Sequence, residues 1–215
     1  IGFGPYAKAT GIEAMALGPY AEASGNGSLA AGAVSKATGK NSIAIGSGSM
    51  ATGSDSFSAG YNSSATATNA LALGSSASAT AVGSYAAGLK STASGANSMA
   101  FGTLSNASST DSWAAGYNAQ ATGVNATALG NRSLSSGLDS FAAGVSSQAT
   151  AANTIAFGTR ALASGETSSA IGYKSTAIGA NTLAVGSLSY ANGNDSAAFG
   201  YAATTTLSND LAIGT

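Results

Sequence analysis

Cysteine and histidine are both absent from the 215-residue chain. Without thiols there are no disulfides and no thiolate metal sites, and cysteine usage points to no compartment. Without imidazole, acid–base catalysis by histidine and most zinc chemistry are excluded. Charge is scarce as well: 7 basic residues stand against 8 acidic ones, for a formal net charge of −1. That balance offers no electrostatic footprint for nucleic acid or an anionic membrane surface. No apolar run is long enough to span a bilayer, and no signal peptide is visible. Ile1 falls in mid-repeat and the chain stops one residue after Gly214, as expected of a segment cut from a longer polypeptide.

Alanine, serine, threonine and glycine dominate instead, a bias common in disordered linkers. Strict periodicity argues against disorder here. A glycine recurs every fourteen residues from Gly4 to Gly214, sixteen times, without insertion or deletion. A short fixed period over a whole chain is the signature of a solenoid, in which each repeat stacks only on its neighbours. Residues 1–215 are therefore expected to form one elongated domain.

Offsets counted from this anchor glycine define columns. Offset −3 holds large residues such as Met15, Ile43, Phe57, Tyr85 and Trp113, and offset −1 is apolar throughout, with alanine between them at −2 in nearly every repeat. Such alternation ended by glycine predicts a β-strand. A second strand is predicted around offsets +3 to +5, where alanine or serine flanks a free position at +4. The anchors Gly18, Gly46, Gly74, Gly102, Gly130, Gly158 and Gly186, and a second glycine often found at +7, fit two corners that need positive φ. Each coil is thus two short strands and two tight turns, stacked as parallel strands.

The −3 and −1 columns also share volume. Mid-sized pairs (Ile43 with Ile45, Leu71 with Leu73) alternate with an aromatic beside an alanine (Phe57 with Ala59, Trp113 with Ala115), so the unit is two coils. These large residues read as the core. The other face of the strand, at −4 and −2, is serine, threonine or alanine, with Asp210 its one charge. A solvated face should vary and collect charge, so burial against a partner is expected. That reading makes the chain a homo-oligomer and places Ala44, Ala72, Ala100, Ala114, Ala128, Ala156 and Ala184 at the contact between copies.

The segments 41–47 (NSIAIGS), 97–103 (NSMAFGT), 153–159 (NTIAFGT) and 181–187 (NTLAVGS) closely resemble the head repeats of YadA-like trimeric autotransporter adhesins. The resemblance runs through every repeat. It implies an all-β, left-handed parallel β-roll that assembles as a homotrimer. It also implies display at the bacterial cell surface, with outer-membrane anchoring through a C-terminal barrel that this chain does not contain. The activity it implies is adhesion to host extracellular matrix proteins (collagen, fibronectin or similar) or to host cells, without a cofactor.

The free columns supply the candidate ligand surface: Tyr6, Tyr20, Lys90, Arg132, Arg160 and Lys174 at +2, with Lys8 and Lys36 at +4. The asparagine column at −5, including Asn41 and Asn97, reads as turn chemistry and not as a ligand ladder. Asp111 and Asp139 lie two coils apart, roughly 10 Å, too far to share one calcium. No base accompanies any serine, so the chain is not expected to be an enzyme. Two rival readings are a passive spacer and an ice-binding solenoid. The second rests on hydroxyls at +6 such as Thr38 and Thr66, a rank only one residue wide.

Overall fold

The computed structural model describes residues 1–214, which contain 31 β-strands and no helix. Two compact units divide the chain, Ile1–Ser108 and Ser109–Thr215. Each is a parallel β-solenoid of fourteen-residue coils. The strands ahead of the anchor glycines form what we term sheet A: Gly2–Phe3 to Met99–Phe101 in unit 1, and Trp113–Ala115 to Leu211–Ile213 in unit 2. The two-residue strands at +4 and +5 form sheet B: Lys8–Ala9 to Asn106–Ala107 in unit 1, and Gln120–Ala121 to Thr204–Thr205 in unit 2. The register steps by one coil, with Ile43 paired to Phe57 and Lys36 to Met50.

The ladder does not stop at the corners. Tyr20 N–H donates to Pro5 C=O at 2.9 Å and Asn41 N–H to Asn26 C=O at 2.8 Å, so turn residues also bond the adjacent coil. Both corners share one design. At the first, Ser35 N–H reaches back to Gly32 C=O at 3.3 Å; at the second, Ser42 N–H reaches Gly39 C=O at 3.2 Å. In each, the residue before that serine has φ near +55°: Val34 is at 59° and Asn41 at 54°. Positive φ at the third turn residue alone is the pattern of a type II turn, which favours proline just before it. Pro5 and Pro19 occupy that position.

The anchor glycines are required twice over. Gly18, Gly46, Gly74, Gly102, Gly130, Gly158 and Gly186 all have φ between 115° and 132°. A Cβ on Gly46 would also lie 2.7 Å from the Gly60 carbonyl oxygen of the next coil. The +7 glycines differ from expectation: Gly25, Gly39 and Gly53 have no positive φ, and positive φ at that corner falls two residues later. They are glycine because the backbone of the next coil passes where a Cβ would stand.

The two faces of sheet A are inverted relative to the sequence reading. Inside the coil lie only the small columns, −4 and −2 from sheet A and +3 and +5 from sheet B. Ala44, Ala72, Ala100, Ala114, Ala128, Ala156 and Ala184 are 0% exposed in the single chain. They line their own coil and have no surface to offer a partner. The interior is so narrow that the largest fully buried side chains are Thr154, Thr182 and Thr205. The large −3 and −1 residues therefore point outward, and Ile45 and Phe101 are each 41% exposed. Buried serines are satisfied locally, as Ser42 Oγ donates to Gly39 C=O at 2.7 Å and Ser49 Oγ to Gly46 C=O at 2.8 Å. Such bonds let a hydroxyl line a dry interior at little cost.

Candidate functional surface

With the interior closed to anything but small side chains, chemistry can reside only on the two outer faces and the two corners. The outer face of sheet A carries the −3 and −1 columns, large, apolar and without a single charge. Exposure is substantial: Trp113 is 39%, Ile155 43% and Phe157 54% exposed. The outer face of sheet B carries the single column at +4, with residues as unlike as Glu22, Lys36, Met50, Gln120 and Tyr190.

All eight residues expected to form a ligand surface are exposed: Tyr6, Lys8, Tyr20, Lys36, Lys90, Arg132, Arg160 and Lys174. The structure gathers only part of this set. Tyr6 and Tyr20 stack with ring centroids 4.9 Å apart and an interplanar angle of 13°. Together with Lys8, Ala21 and Glu22 they line a cleft of about 320 Å³. Lys36 Nζ bonds Glu22 Oε2 at 3.3 Å beside it. Lys90 stands apart in unit 1. In unit 2, Arg132, Arg160 and Lys174 share one column, with Lys174 Nζ 5.2 Å from the Tyr173 ring centroid, a cation–π contact.

The +2 column is not merely unconstrained. Tyr6, Tyr20, Lys90, Arg132, Arg160 and Lys174 all have φ between 53° and 59°, in the left-handed region. Nothing in their residue types signals this, since such a position ordinarily favours glycine or asparagine. The −5 column obeys that preference, and its side chains join coil to coil. Asn41 Nδ2 donates to Asp55 Oδ1 at 2.9 Å, Asn125 to Asp139 at 2.8 Å and Asn181 to Asp195 at 3.0 Å. This ladder is structural, as its residue types suggest.

Sequence reasoning missed a groove of about 530 Å³ in unit 1, lined by Asp55, Phe57, Asn69, Leu71, Gly83, Tyr85, Asn97 and Met99. It opens where Gly83 interrupts the asparagine and aspartate column. That glycine was the available signal. Among the described residues no three acidic side chains converge as a metal site would require.

A parallel β-solenoid with a plain interior and repetitive outer columns is the architecture of a structural or binding repeat domain. The family model of the YadA head domain repeat, in its two-copy form, matches residues 1–21, 9–35, 23–49, 51–77, 79–105, 107–133, 135–161, 163–189 and 191–215. The chain belongs to this family of head repeats, and from residue 23 onward the matches begin 28 residues apart, in step with the two-coil unit. Among solved structures, the chain is similar to the collagen-binding domain of the Yersinia adhesin YadA. Identity is 26%, over 84% of this chain and 69% of that one, with a TM-score of 0.32. A search of curated proteins finds no match.

Proposed function

We propose that the chain is the adhesive head of a trimeric autotransporter, displayed on the bacterial surface and anchored in the outer membrane by parts of the protein outside this segment. Three left-handed β-rolls pack through the outer face of sheet A. They present sheet B and the cleft of Tyr6, Lys8, Tyr20 and Lys36 to extracellular matrix proteins such as collagen or fibronectin, or to host cells. The observation that carries this reading is the charge-free apolar face, half exposed in the single chain and continuous along each unit. Apolar surface on that scale marks a contact surface, and repeated weak contacts gain strength by avidity.

Two measurements test it. Sedimentation of residues 1–215 should give a trimer, and the trimer should bind immobilised collagen or fibronectin saturably, above an albumin control. A trimer that binds no matrix protein or host cell supports the spacer reading and removes the adhesive one.

A further inference from the structure

Unit 2 is electrically divided. Its three cations, Arg132, Arg160 and Lys174, all stand at the first corner, in the column two residues after the anchor glycine. Its acids, including Asp139, Glu166 and Asp195, all stand at the second corner. Both corners border the same apolar outer face of sheet A. Side-chain size on that face is also reciprocal: Trp113 accompanies Ala115 and Phe141 accompanies Ala143, whereas Ser169 accompanies Ile171 and Ala197 accompanies Phe199.

We infer that these two asymmetries dictate how copies of the chain meet. They lie parallel and level, with Arg132 and Arg160 at the first corner of one copy against Asp139 and Glu166 at the second corner of the next. The inference rests on the outer face of sheet A being the contact between copies. Rotating one copy about an axis along its coil stack exchanges the two edges of the face, so every first corner meets a second corner and opposite charges approach. Turning it end over end brings first corner to first corner, cations against cations, which is repulsive.

Level stacking follows from the same residues. Arg132 and Asp139 belong to one coil, as do Arg160 and Glu166. Slipping by one coil in either direction loses both pairings and leaves Lys174 alone opposite an acid. Size gives an independent reason. With edges exchanged, the −3 side chain of one copy meets the −1 side chain of the next. Level copies then place Trp113 over Ala115 and Phe141 over Ala143. A one-coil slip sets Trp113 against Leu129 and Phe141 against Phe157, overfilling those layers and leaving voids elsewhere.

The test is charge exchange in the 215-residue chain. Arg132→Glu with Arg160→Glu should keep the circular dichroism of the wild type and weaken assembly by roughly tenfold in low salt, less in high salt. Adding Asp139→Lys and Glu166→Lys should restore assembly, and this exchanged chain should not form mixed oligomers with tagged wild type. If either charged variant misfolds, Arg132→Gln with Arg160→Gln keeps most of the stem, removes the charge and should also weaken assembly. The inference is overturned if the reversed chain assembles and mixes with wild type like the wild type itself. It is equally overturned if assembly is unchanged while binding to immobilised heparin is lost, because the column is then a polyanion surface. A wild-type chain that stays monomeric at every concentration sinks the proposed trimer, and the pairing with it.

Discussion

The outer faces of sheet A and sheet B share one backbone and one interior, yet carry opposite chemistry. Sheet A turns out Ile45, Phe101, Trp113 and Phe157 with no charge among them, whereas sheet B turns out Glu22, Lys36, Met50 and Gln120. The interior between them is alanine, serine and threonine throughout. Stability against unfolding therefore comes from close-packed small side chains and a continuous ladder, and neither outer column is needed to close a coil. Each face is free to serve a different contact: one uniform enough to be covered, the other varied enough to distinguish ligands.

Substitutions at three depths would break or sharpen this contrast. The largest effect is expected inside. Ala128→Glu forces a long charged side chain into a space filled by alanine, which should cost more than about 3 kcal/mol and unfold the adjoining coils. A melting curve matching wild type would show that Ala128 does not face inward. Next comes the outer face of sheet A. Ile45→Lys should leave the coil folded, with a change within about 1 kcal/mol by thermal melting, and reduce the trimer fraction in sedimentation. Retained trimer at wild-type concentration would detach this face from assembly. The smallest effect is expected on sheet B, where Lys36→Ala removes the pair with Glu22 between side chains 49% and 37% exposed. Solvent screening limits the loss to between 0 and about 1 kcal/mol, with assembly unchanged.

Much of this was legible in the residues. The glycine period, the two strands, the two corners and the role of the asparagine column could all be read from spacing and turn chemistry. The assignment of inside and outside could not be taken from hydrophobicity, because the usual rule that large apolar residues fill the core fails in a coil this narrow. A better signal was present: Ser35 and Ala37 on the second strand are as small as Ser42 and Ala44 on the first. Two small faces in one coil pack most closely against each other. The left-handed backbone at Lys90 and Arg132 left no trace in residue type, since the corner is imposed by the coils on either side through bonds such as Arg132 N–H to Tyr117 C=O at 2.9 Å.

By itself, the sequence determined the fourteen-residue register, and with it a parallel ladder in which each residue meets its equivalent one coil away. An unbroken period permits no other pairing without displacing every column. Only the tertiary structure decided which side of that ladder is interior. Period-two alternation defines two faces without ranking them. The ranking comes from closing the coil, when two sheets joined by tight corners approach until nothing larger than threonine fits between them. The large residues then have nowhere to go but out, where a second copy can cover them.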